Sequence, residues 1–193
     1  MSKGPLIILS GPSGSGKSTV IRRLLAASGL PLRLSVSVTT RPPRAGEVDG
    51  IAYHFWTRER FEEEVRAGGF LECAEVFGAL YGTLRREVEP VREQGQGALL
   101  EIDVQGAAQV RRQCPDAVSI FLKAPSLETY EQRLRQRHTE SEAAIRRRLE
   151  GARRELARAG EYDYQVVNDD LDRAVAEVEA IIRRQFGGES HAG

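Results

Sequence analysis

Residues Leu6 to Leu25 read Leu-Ile-Ile-Leu-Ser-Gly-Pro-Ser-Gly-Ser-Gly-Lys-Ser-Thr-Val-Ile-Arg-Arg-Leu-Leu. Within them, Gly11-Pro12-Ser13-Gly14-Ser15-Gly16-Lys17-Ser18-Thr19 contains the spacing of a phosphate-binding loop, a glycine followed five residues later by Gly-Lys and a hydroxyl residue. Glycines allow positive φ and a close approach to a polyphosphate, so that successive N–H groups face its oxygens. Lys17 can then reach the β and γ phosphates, and the Ser18 hydroxyl is the candidate ligand of a Mg²⁺ ion. The flanks agree with this reading. Leu6 to Leu9 form an unbroken apolar run, as a strand buried on both faces requires. Val20, Ile21, Leu24 and Leu25 repeat at helical spacing, with Gly29 placed to end the helix. Strand, loop and helix together put a helix N-terminus under the phosphates. A dinucleotide fingerprint does not fit, because Thr19 stands where its third glycine belongs.

A chain of 193 residues with 40% apolar and 29% charged side chains can bury a full core as one domain with insertions. No stretch approaches about 18 consecutive apolar residues, and the first strand begins within a few residues of Met1, so neither a membrane span nor a signal peptide is expected. A cytoplasmic location follows. The formal net charge is zero, which gives no global field toward nucleic acid. Cys73 and Cys114 lack metal-type spacing and read as buried thiols. Only Lys3, Lys17 and Lys123 are lysines among 28 basic residues. That one of the three falls in the phosphate loop suggests a position that does not accept arginine.

Along the chain, Leu34 to Val38 alternates and reads as one strand. Thr39 to Glu47, with Pro42, Pro43 and Gly46, is an ordered loop presenting Arg41 and Arg44. Ala52 to Trp56 is extended and carries Tyr53. Thr57 caps a helix over Arg58 to Ala67 with Phe61 and Val65 inward, and Gly68-Gly69 stops it. Phe70 to Phe77 is extended and holds Glu72, and a helix runs from about Leu84 to Glu93. Ala98 to Ile102, Ala117 to Leu122 and Gln165 to Val167 are strands separated by helical patterns, as in a parallel α/β sheet. Ser126 opens a helix with Leu127, Tyr130 and Leu134 on one side. Thr139-Glu140-Ser141-Glu142 is a capping box before a helix whose apolar face is Ile145, Leu149, Ala152 and Leu156. Asn168-Asp169-Asp170 caps the last helix, with Val175, Val178, Ile182 and Phe186 inward, and 189–193 form a disordered tail.

The segment from Ser35 to Arg86 interrupts the α/β alternation with two loop arginines, two tyrosines and an acidic residue. Such a set suits a phosphate at one end and a hydrogen-bond donor edge at the other. Taken singly, Arg41 and Arg44 could be solvated charges, and Tyr53 and Tyr81 core residues with satisfied hydroxyls. Glu72 is sharper, since a carboxylate in an apolar run needs a partner or a ligand. Asp103 could cap the following helix or stand near Mg²⁺ or a base.

Ser35-Val36-Ser37-Val38-Thr39-Thr40-Arg41-Pro42-Pro43-Arg44, Gly46-Glu47-Val48-Asp49-Gly50, Tyr53-His54-Phe55, Phe70-Leu71-Glu72, Tyr81-Gly82-Thr83, Glu101-Ile102-Asp103-Val104-Gln105-Gly106 and Val167-Asn168-Asp169-Asp170 resemble the guanylate kinase family. The resemblance covers nearly the whole chain. It implies an α/β, P-loop nucleoside monophosphate kinase fold with a five-stranded parallel core, formed from about 4–34, 87–125 and 159–186. It also implies a GMP-binding region at about 35–86 and a helical lid at about 126–158, within one domain spanning 1–188. The implied reaction is ATP and GMP giving ADP and GDP with Mg²⁺, with dGMP as a further acceptor, in purine metabolism and GMP recycling. Arg41, Arg44, Tyr53 and Tyr81 would hold the GMP phosphate, while Ser37, Glu72, Thr83 and Asp103 would read the guanine. Guanine chemistry supports Glu72 independently, since N1–H and the exocyclic amine are adjacent donors that one carboxylate accepts together. Hydroxyls of Ser37 and Thr83 can donate to O6. Two departures are small: Leu80 stands where a second tyrosine is frequent, and Glu101 where some members have aspartate.

An anionic GMP phosphate needs no general base, so catalysis reduces to alignment and charge neutralisation. Lys17, Arg41, Arg137 and Arg148 are the candidates. On the helix carrying Ile145, Arg147 lies opposite the apolar face, while Arg146 and Arg148 flank it equally; the resemblance selects Arg148. A guanylate-kinase-like binding module, the rival of another class, usually lacks a working phosphate loop, and the Asn-Lys-x-Asp signature of GTPases is absent. No nucleic acid, membrane or obligate protein partner is expected. Lys17→Ala is expected to abolish phosphoryl transfer with an unchanged circular dichroism spectrum, and Lys17→Arg to fail as well, because a planar fork does not replace a compact ammonium. Near-normal turnover of Lys17→Ala would remove this loop as the ATP site.

Overall fold

The computed structural model describes residues 3–76, 78–135 and 142–187. Strand β1 (Leu6–Ser10) is buried at all of its positions. It is the middle strand of a five-stranded parallel sheet ordered β2 (Leu32–Leu34), β7 (Gly97–Glu101), β1, β8 (Val118–Lys123), β9 (Tyr164–Val167). Ile7 faces Val118 and Ile120 faces Tyr164 in its parallel ladders. A second, mixed sheet has the order β4 (His54–Phe55), β3 (Val38–Thr39), β6 (Ala79–Leu84), β5 (Phe70–Val76). The α1 helix (Lys17–Ala27) follows β1, α2 (Arg58–Arg66) follows β4, α3 (Arg85–Glu93) follows β6, and α4 (Val104–Gln113) follows β7. Beyond β8 come α5 (Leu127–Arg135) and α6 (Glu142–Leu156), and α7 (Leu171–Phe186) follows β9.

Local chemistry accounts for the element ends. Thr57 accepts a hydrogen bond from the Arg60 amide at the start of α2, and Asp170 accepts one from the Arg173 amide at the start of α7. Ser28 closes α1 on the Leu24 carbonyl, with Gly29 in the left-handed region behind it. Two expectations need correction. Leu34 to Val38 is not one strand: Leu32–Leu34 pair with β7 in the parallel sheet, the Ser35 amide still reaches the Leu99 carbonyl, and Val38–Thr39 pair with β4 and β6 in the mixed sheet. The apparent alternation therefore spans two sheets. Val65 is expected inward, yet it is exposed one turn beyond the buried Phe61, and Leu25 is exposed beside the buried Val20, Ile21 and Leu24. Cys73 and Cys114 are half-buried free thiols. The first three residues of the expected capping box and the 189–193 tail lie outside the described residues.

The chain divides into two compact units, the first made of Met1–Leu6, Leu32–Leu100 and Gln105–Ala117, the second of Ile7–Pro31, Glu101–Val104 and Val118–Gly193. In the first, Val38, Trp56, Phe61, Phe70 and Leu84 form a buried cluster against Cys73 and Leu80. Phe61 stacks on Phe70 with centroids 4.4 Å apart, and the Arg60 guanidinium lies 4.0 Å over the Trp56 ring. Arg92, almost fully buried, donates to the Gly4 carbonyl and pairs with Asp116, so its charge is compensated. In the second unit, Val20, Ile21 and Leu24 of α1 and Val178 and Ile182 of α7 are buried where the two helices pack, and Asp163 accepts from both the amide and hydroxyl of Ser119. No helix of the described residues is long and apolar enough to cross a membrane. Phe61→Ala removes a stacked ring from the first unit's core and is expected to lower unfolding stability by about 3–5 kcal/mol in a denaturant titration followed by circular dichroism. A loss below about 1 kcal/mol would show that this cluster does not hold the unit together.

Candidate active site

The loop after β1 turns where only glycine is tolerated. At Gly11 φ is +139°, and a Cβ there would stand 2.1 Å from the Leu122 carbonyl oxygen; at Gly16 φ is +96°, and a Cβ would stand 2.3 Å from the Asn168 amide nitrogen. Four of the loop's carbonyls are taken by side-chain donors. Lys17 Nζ reaches the carbonyls of Gly11 at 2.5 Å and Pro12 at 3.2 Å, Arg133 donates to those of Gly14 and Ser15, and Asn168 Nδ2 donates to Ser15 at 2.8 Å. With its carbonyls engaged, the loop has its remaining N–H groups and the α1 N-terminus to offer an anion. Ser18 Oγ donates to Glu101 Oε1 at 2.7 Å, which sets a hydroxyl and a carboxylate side by side.

The helices after β8 bring further charge to this unit. Arg148 is half-buried and donates to Ser13 Oγ at 3.2 Å, whereas Arg146 and Arg147 are exposed. Helix geometry alone left Arg146 and Arg148 equivalent; the packing separates them. Arg137 lies outside the described residues. Asp103, half-buried just before α4, acts on Glu155 of α6. Burial is the main force raising the Glu155 carboxyl above its ordinary range and Asp103 raises it further, while Lys17 and Arg158 pull it back. Tyr130 is pushed up to about 12, first by burial, and its hydroxyl accepts from the Ala124 amide at 2.8 Å.

The mixed-sheet unit gathers the other candidates by register. Thr39 faces both Phe55 and Tyr81, Tyr81 faces Ala74, and Thr83 faces Glu72. Opposed residues share a face and the period is two, so Thr39, Phe55, Tyr81, Thr83 and Glu72 fall on one side of the sheet, with Ser37 and Tyr53 just ahead of β3 and β4. Tyr53 and Tyr81 meet edge to face at 5.9 Å, and the Arg41 guanidinium lies 5.5 Å from the Tyr53 ring. Arg41 makes a two-pronged pair with Glu47, both bonds 2.9 Å, and Glu47 also accepts from the Arg44 amide. The Arg41 bond holds the Glu47 carboxyl below its usual range. The Arg44 side chain is exposed. Glu72 is 5% exposed and accepts a 2.7 Å bond from Thr83 Oγ1. The Thr83 hydroxyl proton thus lies toward the Glu72 carboxylate.

A guanylate kinase family model matches residues 3–185. The chain belongs to the guanylate kinase family. It is 53% identical to a guanylate kinase of Symbiobacterium thermophilum over 93% of this chain and 85% of the relative. It is also 53% identical to one of Rubrobacter xylanophilus over 97% and 98% of the two chains. Among solved structures, guanylate kinase from Anaplasma phagocytophilum superposes with a TM-score of 0.79 at 36% identity, covering 96% of this chain and 87% of that one.

Sequence reasoning missed four parts of this guanylate kinase site. Arg133 and Asn168 brace the phosphate loop through carbonyls, and only the fold brings them there. Asn168 reads from the sequence as part of a helix cap, a role that falls to Asp170. Glu101 was noted but given no role, although an acidic residue ending an apolar strand beside a phosphate loop was a usable signal. Glu47, three residues after Arg44, stands in a block that carries the resemblance, but its pairing with Arg41 shows only in the fold. Arg148→Ala is expected to lower kcat about 10³-fold with ATP still bound, Arg137→Ala to do likewise, and Arg147→Ala to stay near wild type. Equal activities at 147 and 148 would reduce this arginine run to a solvated face.

Proposed function

We propose that the chain transfers the γ-phosphoryl group of ATP to GMP, giving ADP and GDP, with the roles assigned as follows. A GMP phosphate oxygen attacks the γ phosphorus, the bond to the β–γ bridging oxygen breaks, and its electron pair leaves with ADP. No proton needs to be removed first, so the side chains act by alignment and by neutralising charge. On the ATP side, Gly11 to Thr19 cradle the polyphosphate with backbone amides, and the Lys17 ammonium, with three donors, serves the β and γ oxygens as well as the loop carbonyls. Arg148, with Arg137, neutralises the transferring group. On the GMP side, Arg41, Arg44, Tyr53 and Tyr81 hold the acceptor phosphate.

The observation that carries the acceptor's identity is the buried Glu72 carboxylate, oriented by Thr83 on the sheet face that also presents Tyr81. One carboxylate accepting both N1–H and the exocyclic amine selects guanine, because adenine offers an acceptor at N1. Ser37 donates to O6, and Asp103 completes the assignment. We infer dGMP as a further acceptor.

Nucleotide kinases generally use Mg²⁺ with ATP, and the donors present suit it. Ser18 and Glu101 offer hard oxygens at the loop, and Mg²⁺ favours one or two such ligands with phosphate oxygens and water. Ser18 would ligate the ion and Glu101 orient that hydroxyl; when bound, Mg²⁺ supplies positive charge to the β and γ oxygens. The segments at about 35–86 and 126–158 are assigned as GMP-binding region and lid, and the proposed setting is cytoplasmic purine nucleotide recycling. A coupled assay of ADP release with each nucleoside monophosphate tests the reading, with GMP expected to be strongly preferred. Glu72→Gln is expected to cut GMP turnover by about 10² or more, since an amide accepts one guanine donor and opposes the other. Unchanged kcat/KM for GMP in that variant would take the guanine-reading role from Glu72.

A further inference from the structure

Phe70 and Glu72 are two residues apart on β5 and yet face opposite ways. In a regular strand they would share a face. The pairing with β6 runs Phe70 to Leu84 and then Glu72 to Thr83, so the register shifts between them. This bulge at Leu71 lets Phe70 enter the aromatic cluster with Phe61 while the Glu72 carboxylate meets Thr83 on the other side. Without it, burying Phe70 would drag Glu72 into the core.

A bulge on an edge strand has one neighbour to hold it, and β5 is the edge of the mixed sheet. Here the open side is closed by side chains of α4. Gln109 Oε1 accepts from the Cys73 amide at 3.2 Å while its Nε2 donates to the Cys73 carbonyl at 2.7 Å, the two bonds that a neighbouring strand residue would make. One turn along the same helix face, Gln113 Nε2 donates to the Leu71 carbonyl at 2.9 Å. Arg85 donates to Gln113 Oε1, which directs the amide nitrogen toward Leu71. The residues on either side of Glu72 are therefore both pinned from outside, and Thr83 pins the carboxylate from inside.

We propose that Gln109 and Gln113 are positioning residues for guanine selection, holding the Leu71 bulge so that the Glu72 carboxylate meets both guanine donors. The inference rests on the assignment of Glu72 as guanine reader. The alternative is edge protection alone, which would affect stability or association without affecting base choice. Base choice separates the two. Inosine monophosphate keeps N1–H and lacks the exocyclic amine, so the preference for GMP over it reads whether both carboxylate oxygens are in place.

The experiment compares kcat/KM for GMP and inosine monophosphate in wild type, Gln109→Ala/Gln113→Ala and Glu72→Gln, with KM for ATP and hydrogen exchange of the Cys73 amide measured alongside. The double variant is expected to lose about tenfold or more of the GMP preference, with KM for ATP unchanged and Cys73 exchange accelerated. Gln113→Ala alone, a change at an exposed position, keeps the test available if the double variant does not fold. A folded variant that keeps the wild-type preference, while Glu72→Gln has lost it, overturns the inference. If Glu72→Gln itself keeps the preference, the guanine assignment of Glu72 falls first and the proposal falls with it.

Discussion

Backbone amides can surround a polyphosphate only if their carbonyls have somewhere else to go. A loop that turns its N–H groups toward an anion must turn C=O groups outward, and each of those costs free energy when buried without a donor. In this molecule the carbonyls of Gly11, Pro12, Gly14 and Ser15 are met by Lys17, Arg133 and Asn168. Three parts of the chain, α1, α5 and the end of β9, are therefore tied to one short turn. The order of the second unit follows from that requirement as much as from its apolar core.

The mixed-sheet unit solves a different problem, that of presenting polar groups from a sheet whose other side is aromatic. A period of two does this for Tyr81 and Thr83 without special devices. Glu72 is the exception, because the strand that carries it must also supply Phe70 to the core. The irregularity at Leu71 reconciles the two demands, and a buried carboxylate then sits against Thr83 rather than against hydrocarbon.

What could be read from the residues alone follows from how local each signal is. The phosphate loop was legible because its chemistry lies within nine consecutive residues, and the parallel core because strands buried on both faces are continuous apolar runs. Thr57 and Asp170 were legible as caps for the same reason. The break between β2 and β3 was not, since Leu34 to Val38 alternates whether it lies in one sheet or passes between two. Arg148 could not be told from Arg146 by helical angle, because the distinction depends on what packs above the helix. The Leu71 bulge and its glutamine brace left no pattern at all, for a bulge depends on pairing, and the residues that hold it lie more than 30 positions away in the chain.

Trp56 is the chain's single tryptophan, and it lies among Phe61 and Phe70 with the Arg60 guanidinium over its ring. All four residues belong to the unit that holds Ser37, Glu72 and Thr83. The molecule thus carries an intrinsic fluorophore confined to one of its two units, in a setting that water and cation contact will alter together if that unit loosens. Emission from this indole reports the mixed-sheet unit alone, while far-ultraviolet dichroism sums over both. Divergence between the two signals would resolve loosening of the unit from unfolding of the whole chain, without any label being added.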